Sequence, residues 1–259
     1  MKKLLLLISF LFLTTLSAIS ADMRIIQVDE LLYSASKESS TKNFENLINR
    51  INKEKNVDFI VFSGDNLAKT GKDNLKSFIK KAKSLKYPYY IVLGSKDISK
   101  QKDFGKKEYA EYLKKKVKTH KKFNSPNYVF EKNRLVFIVV DGSKEVIPTP
   151  MGYYRDDVLN WLDDQLYKYK DKKVIILQHY PIIPPAKKEN LYTYKADEYL
   201  ELLSRYTNVK AIISGHFGVN NEQTFNGVLH ISTAKAPTYR IIDIIDFETE
   251  APTFWSTIR

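Results

Sequence analysis

Apolar runs of strand length recur along the chain, and each ends at a glycine or a polar residue. One of them, residues 57–63, is rich in β-branched and aromatic side chains and leads into Gly64-Asp65-Asn66. Near-continuous apolar runs are typical of strands covered on both faces, as in parallel sheets. Four further runs share this design: residues 24–28 before Asp29, 89–93 before Gly94-Ser95-Lys96-Asp97, 174–178 before His179, and 209–214 before Gly215-His216. Because ligands of open α/β sheets lie beyond the carboxyl ends of strands, these endings predict one site.

The stretches between these runs carry a helical period. Apolar residues recur at i, i+3, i+4 and i+7 from Phe44 to Ile51, which predicts an amphipathic helix between the first two strands. A strand, a helix and a strand in close succession predict a βαβ unit with parallel strands and a right-handed crossover. Similar periods predict helices around residues 75–85, 109–117, 156–169 and 195–206.

Shorter strands complete the predicted fold. Lys132-Asn133 lies between two apolar segments, residues 127–131 and 135–140, and this pattern is consistent with a β-hairpin. The last third of the chain indicates short antiparallel strands at residues 227–232, 239–247 and 252–258. We therefore expect an α/β fold of two packed sheets with helices outside, forming a single domain over residues 22–259.

The N-terminal residues 1–21 have the three-part pattern of a secretory signal peptide. Lys2 and Lys3 precede an apolar run over residues 4–13, and small residues precede a cleavage point near Ala21. A membrane anchor is the alternative, but the apolar run is short for a membrane span. We therefore expect an exported protein, periplasmic or extracellular. The chain contains no cysteine, which excludes disulfides and thiolate metal sites.

The chain is strongly basic, with a formal net charge of +12 from 42 lysine and arginine residues against 30 acidic ones. Such a surface attracts polyanions, including nucleic acid and anionic envelope polymers. The lysines are nevertheless spread along the chain, and the densest patch, residues 114–122, is typical of a solvated helix end with His120 exposed. We expect no specific nucleic-acid partner, and an anionic envelope surface stays open as an alternative partner.

The residues at the strand ends occur in the order of a known family. Asp29, Gly64-Asp65-Asn66, Gly94-x-x-Asp97, His179 with Pro181, and Gly215-His216 resemble the motifs of the calcineurin-like metallophosphoesterases, relatives of the purple acid phosphatases. The resemblance extends over nearly the whole chain after residue 22. It implies a four-layer sandwich of two mixed β-sheets flanked by helices, and a two-metal site that hydrolyses phosphoesters.

The resemblance implies a nearly complete ligand set for one of the two metal ions. Asp65 matches the carboxylate that bridges both ions, and His179 and His216 match ligands of the second ion. Ser95 stands where the family has an asparagine ligand to this ion, and a serine hydroxyl is a weak substitute. Three protein ligands with open positions for water are the usual composition of a catalytic metal site.

The other metal position is depleted. It retains Asp29 and the shared Asp65, whereas Leu31 and Gly218 stand where the family has histidines. Two carboxylates without an imidazole make a weak site for a transition metal. We therefore expect one divalent ion per chain, manganese, iron or zinc.

Two residues are predicted to contact the substrate. Lys96 stands in place of the family's proton-donating histidine, where it can offset phosphate charge or donate a proton if its pKa is lowered. Asn66, directly after the bridging carboxylate, is predicted to bind phosphate oxygens. Asp97 and Asp141 are expected to orient ligands or loops, and His230 to pack within a strand.

Three hypotheses about function follow from these motifs and their departures from the family. The first is an exported metal-dependent phosphoesterase with an incomplete, single-metal or weakened site. The second is a catalytically inactive protein of the same fold that binds a phosphorylated or anionic small molecule in the same cleft. The third is an envelope interaction protein that uses its basic surface. Leu31 and Gly218 argue against a full two-metal site. The retained His179 and His216 argue against complete loss of metal binding.

Overall fold

The structure, a computed structural model, describes residues 21–259 as two packed β-sheets with helices outside. The strands in this range are β1 (Met23–Val28), β2 (Phe59–Phe62), β3 (Tyr89–Ile91), β4 (Tyr128–Lys132), β5 (Leu135–Val140), β6 (Val174–Gln178), β7 (Val209–Ser214), β8 (Asn221–Phe225), β9 (Val228–Ser232), β10 (Tyr239–Ile245) and β11 (Thr253–Ile258). The helices are α1 (Glu38–Ile51), α2 (Lys72–Ala82), α3 (Lys106–Lys116), α4 (Asp156–Lys168) and α5 (Ala196–Ser204).

Both sheets mix parallel and antiparallel strands. The first has the order β11-β10-β1-β2-β3, in which β1, β2 and β3 are parallel and β10 is antiparallel to β1. The second has the order β4-β5-β6-β7-β9-β8, in which the four central strands are parallel and each edge strand is antiparallel to its neighbour. The predicted βαβ unit is confirmed, because α1 connects the parallel strands β1 and β2.

Alternation of side chains along the strands builds three apolar layers. In β2, Phe59 and Val61 face the second sheet, whereas Ile60 and Phe62 face the layer that contains the apolar sides of α1 and α2. The layer between the sheets also contains Phe137 of β5, whose ring centroid lies 5.0 Å from that of Phe59. α4 and α5 cover the outer face of the second sheet. The expected four-layer sandwich is confirmed, and central strands such as β2 and β5 are apolar throughout because both of their faces are covered.

The last third of the chain differs from the prediction. β9 runs parallel to β7, so the prediction of antiparallel strands throughout this region is wrong. β8, which pairs antiparallel with β9, was not predicted at all. Its sequence is Asn-Glu-Gln-Thr-Phe, and a polar edge strand shows no apolar alternation in the sequence. Its hydrogen bonds to β9, rather than a buried face, hold it in the sheet.

The prediction that His120 is exposed is also wrong. A short 3-10 turn after α3 buries its ring between Phe123 and Tyr128, with ring centroids 5.7 and 5.3 Å away. Its Nδ1 lies 3.0 Å from the hydroxyl of Thr119, and its Nε2 lies 3.3 Å from the hydroxyl of Tyr128. The neighbouring lysines remain at the surface. The prediction failed because the high charge of this segment gave no indication that one of its side chains is buried.

The predicted signal peptide, apart from Ala21, lies outside the described residues. Within residues 21–259, no helix is long and apolar enough to cross a membrane.

Candidate metal and phosphate site

The structure brings five of the predicted site residues to one edge, where strands of both sheets end. Asp29 follows β1, Asp65 follows β2, Ser95 lies beyond β3, His179 follows β6 and His216 lies beyond β7. The ring of His179 lies at the centre of this group, with Nδ1 3.8 Å from Asp29 Oδ1 and Nε2 3.7 Å from Asp65 Oδ1. Its ring centroid lies 4.9 Å from that of His216.

Sharp turns at the strand ends aim these side chains into the site. Asp65 and His216 both adopt left-handed backbone angles, with φ of 49° and 72°. Such angles are uncommon for residues other than glycine and cost on the order of 1–3 kcal/mol each, which the surrounding structure must offset. Gly215 permits the close approach of two strand ends, because a Cβ at this position would lie 1.7 Å from Asp29 Oδ1.

Asp29 is fully buried, and both of its carboxylate oxygens accept hydrogen bonds. The hydroxyl of Ser63 donates to Oδ1 at 2.9 Å, and the backbone N–H of His216 donates to Oδ2 at 3.0 Å. Burial, together with the charge of Glu30, raises the pKa of Asp29 well above its usual value despite these bonds. These two hydrogen bonds fix the orientation of the Asp29 carboxylate, and each of its oxygens keeps a second lone pair.

The two histidines present nitrogen atoms without partners. His179 Nδ1 lies 2.7 Å from the carbonyl oxygen of Ser63, so the ring proton belongs on Nδ1 and Nε2 keeps a free lone pair on the side of Asp65. Within residues 21–259, His179 Nε2 and both ring nitrogens of His216 are buried without a hydrogen bond. Burial, reinforced by His179, lowers the pKa of His216 to about 3, so its ring is neutral near pH 7 as metal binding requires.

A lysine side chain contacts the carboxylate that the family resemblance assigns to bridging. Lys96 Nζ lies 2.7 Å from Asp65 Oδ2 and 3.5 Å from Glu30 Oε1. The backbone N–H of Lys96 also donates to Asp65 Oδ1 at 2.9 Å. Burial raises the pKa of Asp65, but the neighbouring His179 ring and the Lys96 ammonium group outweigh burial and lower it overall. Burial lowers the pKa of Lys96, and its two carboxylate partners outweigh burial and raise it.

Ser95 and Asn66 have different places relative to this group. The hydroxyl of Ser95 lies 3.4 Å from Asp65 Oδ1, at the edge of hydrogen-bonding distance. Asn66 is fully buried, and its amide donates to the carbonyl oxygen of Val92 at 3.1 Å and to Asp97 Oδ2 at 3.3 Å. The Asn66 side chain therefore stabilises the loop around Asp97 and does not line the cavity that contains Ser95 and Lys96.

Asp97 fixes the loop that carries Lys96. The backbone N–H of Leu67 donates to its Oδ1 at 2.8 Å, and that of Gly94 donates to its Oδ2 at 3.0 Å. Burial, together with the charge of Asp65, raises the pKa of Asp97 to about 8. Asp141 lies elsewhere, in an ion pair with Lys106 Nζ at 2.6 Å. His230 is buried in β9, where the sequence placed it.

A cavity of about 770 Å³ opens above Asp65 and His216. Its charged lining is mostly cationic, with the carboxylates of Glu30 and Asp65 facing the ammonium groups of Lys69, Lys96, Lys102, Lys188 and Lys235. Sequence reasoning missed Glu30, a largely buried carboxylate beside Lys96. The only signal for it was its position directly after Asp29, inside the first motif.

One group of donor atoms at this edge could hold a metal ion. Within residues 21–259, no three acidic or histidine side chains form a ready-made metal cluster. Asp65, His179 and His216 nevertheless offer a carboxylate and buried imidazole nitrogens that lack any partner, and buried polar atoms normally have one. Asp29 lies beside this group and accepts two hydrogen bonds. Leu31 and Gly218 add no donor beside it.

Comparison with known proteins agrees with these motifs. The sequence profile of calcineurin-like phosphoesterases matches residues 26–220, which confirms the family resemblance. A probable glycerophosphodiester phosphodiesterase from Arcobacter nitrofigilis is 26% identical over 191 residues, which are 71% of this chain. The match spans 64% of that relative's length.

Solved structures of related fold include enzymes and a structural anchor. A dimetal phosphatase from Danio rerio superposes with a TM-score of 0.69 at 14% identity, covering 88% of this chain and 94% of that one. GAP50, the anchor in the inner membrane complex of Plasmodium, superposes with a TM-score of 0.55 at 20% identity, covering 83% of this chain and 72% of that one. At these identities the likeness shows the fold alone.

Proposed function

Because the chain belongs to the calcineurin-like phosphoesterase family, we propose that it is a phosphodiesterase that uses one divalent metal ion. The ion would be held by Asp65, His179 and His216, and either manganese, iron or zinc suits this mixture of oxygen and nitrogen donors. One observation carries the proposal: the buried ring nitrogens of the two histidines lack partners and lie beside a carboxylate at the floor of a cavity.

The substrate class follows from the cavity and from the relative. A volume of about 770 Å³ accommodates a small organic phosphoester, and its lysine lining favours an anion. The Arcobacter relative is a probable glycerophosphodiester phosphodiesterase, which supports a phosphodiester rather than another phosphoester.

Each side chain at the site has a separate task in this proposal. The bound ion would polarise the phosphate and activate a water molecule. His179, fixed through Nδ1 by the Ser63 carbonyl, keeps Nε2 aimed at the side of Asp65. Lys96 is 44% exposed, so its ammonium group reaches the cavity and binds a phosphate oxygen. Its two carboxylate partners raise its pKa, and its positive charge can stabilise the charge of the phosphate.

A second candidate function is binding of a phosphorylated or anionic ligand without hydrolysis. One observation favours it: the ammonium group of Lys96 lies 2.7 Å from Asp65 Oδ2 and compensates the charge of this carboxylate. In this alternative the lysine lining of the cavity holds the anion, and the family's catalytic chemistry is lost.

Metal analysis and a hydrolysis assay decide between these two functions. Protein purified without chelator should contain about one equivalent of transition metal and should hydrolyse bis(4-nitrophenyl) phosphate when Mn²⁺, Fe²⁺ or Zn²⁺ is supplied. His179→Ala should lose both properties. His230→Ala is the matched control, since this buried histidine lies in β9 away from the site and its loss should leave metal content unchanged. No metal and no hydrolysis in the unmodified protein would favour the binding function.

We also propose that the protein is exported, on the basis of the pattern in residues 1–21. N-terminal sequencing of material recovered outside the cytoplasm should begin near Ala21. Retention of the apolar run, residues 4–13, in that material would contradict a cleaved signal peptide.

A further inference from the structure

The two oxygens of Asp65 have different surroundings. Oδ1 lies 3.7 Å from the free Nε2 of His179, on the side proposed for the metal ion. Oδ2 is contacted by Lys96 Nζ at 2.7 Å, and the backbone N–H of Lys96 donates to Oδ1 at 2.9 Å. The same ammonium group lies 3.5 Å from Glu30 Oε1, so it stands between two carboxylates. A positive charge between carboxylate oxygens is the arrangement that a hard divalent cation also adopts.

Glu30 belongs to the depleted side of the site. It lies between Asp29, whose two oxygens each accept a hydrogen bond, and Leu31, which offers no donor. Its Oε2 is the nearest atom, at 3.7 Å, to the point where a Cβ on Gly218 would lie. Position 218, where the family has one of its two missing histidines, therefore lies next to Glu30, the carboxylate that is paired with Lys96.

We infer that Lys96 is a resident cation that takes the place of a second metal ion between Asp65 and Glu30. The inference rests on the metal site of the proposed function and deepens it, because it explains why one ion suffices to compensate the carboxylates. It also means that Lys96 competes with divalent cations for Asp65. The identity of the residue at position 96 thus limits how many ions the chain holds.

Removing the charge of Lys96 should increase metal binding. Lys96→Gln keeps a hydrogen-bond donor near Asp65 but leaves the charges of Asp65 and Glu30 uncompensated. A single charge at this distance alters ion binding to a carboxylate by roughly tenfold to a thousandfold, judged from proton affinities. The variant should therefore bind a second equivalent of Mn²⁺, or bind its first equivalent at least about tenfold more tightly.

Calorimetric titration of the chelator-treated protein with MnCl₂ tests the inference without any activity assay. Lys96→Arg retains the positive charge and should behave like the unmodified protein. Lys102→Gln is a matched control, because Lys102 lines the same cavity but is not the lysine paired with Asp65 and Glu30. Circular dichroism and urea unfolding of each variant establish that it is folded before titration. If Lys96→Gln is unstable, Lys96→Met, which keeps the aliphatic stem and removes the same charge, takes its place and should show the same gain in Mn²⁺ binding.

The outcomes separate this inference from the proposed function. Unchanged Mn²⁺ stoichiometry and affinity in folded Lys96→Gln would overturn the role of Lys96, even if the unmodified protein binds one ion and hydrolyses phosphodiesters. Binding by Lys96→Gln but not by the unmodified protein would support the role of Lys96 while contradicting the single-ion enzyme. Failure of both proteins to bind Mn²⁺ would overturn both proposals. An equal gain in Lys102→Gln would show a general charge effect of the cavity and would also overturn the inference.

Discussion

The backbone N–H of His216 donates a hydrogen bond to Asp29 Oδ2 at 3.0 Å, although the two residues are 187 positions apart. The hydroxyl of Ser63 donates to the other oxygen of the same carboxylate. Asp29 thereby connects the ends of β1, β2 and β7, which come from different sheets. In this chain the first motif residue links the two sheets through its hydrogen bonds, and whether it also binds a metal ion is a separate, testable question.

Asp29 and His216 should therefore respond differently to substitution. Asp29→Asn can still accept from the His216 N–H and donate to the Ser63 hydroxyl, so metal affinity should change little. His216→Ala removes a buried imidazole ligand and should weaken metal binding about tenfold or more. Titration of both variants with Zn²⁺ measures the difference. Equal losses of affinity would show that Asp29 binds the ion directly.

Gly215 should tolerate no side chain. A methyl group at this position would lie 1.7 Å from Asp29 Oδ1, so the carboxylate and the strand end must separate. Overpacking of this kind typically costs roughly 1–3 kcal/mol, and the loss of buried hydrogen bonds adds to it. Gly215→Ala should lower the free energy of unfolding by at least about 2 kcal/mol in urea titrations.

Gly105→Ala is the comparison for Gly215→Ala. The nearest atom to its Cβ would be Glu145 Oε2 at 2.7 Å, the end of a flexible side chain that can move. We expect a smaller change in the free energy of unfolding there. Similar losses at both positions would argue against the strand contact as the cause.

Restoring the missing histidines should restore a second metal position only when Lys96 is also replaced. Gly218 has an open surrounding but a φ of +64°, so histidine there costs about 1–2 kcal/mol of backbone strain. Leu31→His with Gly218→His should fold with reduced stability and still bind about one ion. Adding Lys96→His should raise the stoichiometry toward two and increase phosphodiester turnover. Two ions in the double variant, measured by elemental analysis, would contradict the blocking role of Lys96.

His120 should make the protein sensitive to mild acid. Burial lowers its pKa from 6.5 to about 4, so the unfolded chain takes up a proton between these pH values and the folded chain does not. The free energy of unfolding should fall as the pH drops from 6.5 to about 4. Below about pH 4, protonation of His120 should cause no further loss. For His120 alone the loss between about pH 7 and about pH 5 is on the order of 2 kcal/mol.

His120→Phe tests this origin of the acid sensitivity. The aromatic ring fits against Phe123 and Tyr128 and cannot titrate. The variant loses two hydrogen bonds and should be less stable near neutral pH, but its stability should decline less on acidification. Urea unfolding at both pH values compares the two slopes. His230, whose pKa burial also lowers to about 4, keeps part of the sensitivity in the variant. A variant with the full pH dependence would exclude His120 as its source.

The sequence by itself determined the buried strands that lead to the site and the residues at their ends. Runs such as 57–63 are apolar on both faces because helices cover one face and the opposite sheet covers the other. Burial of such strands can therefore be inferred from their residue types. The same runs predicted that Asp29, Asp65, His179 and His216 would meet, because parallel strands carry their carboxyl ends to one edge. The departures at Leu31 and Gly218 were likewise visible without any coordinates.

Only the tertiary structure decided what the polar side chains contact. Lys96 turns toward Asp65 and Glu30, and Asn66 turns away from the cavity toward Asp97, because loop paths and rotamers aim them. His120 is buried among aromatic rings beside a row of surface lysines for the same reason. β8 is held in the sheet by hydrogen bonds to β9, and its polar sequence shows no pattern that predicts a strand. Hydrophobic burial acts on residue type and can be inferred from sequence, whereas the direction of a polar side chain depends on partners brought close only by folding.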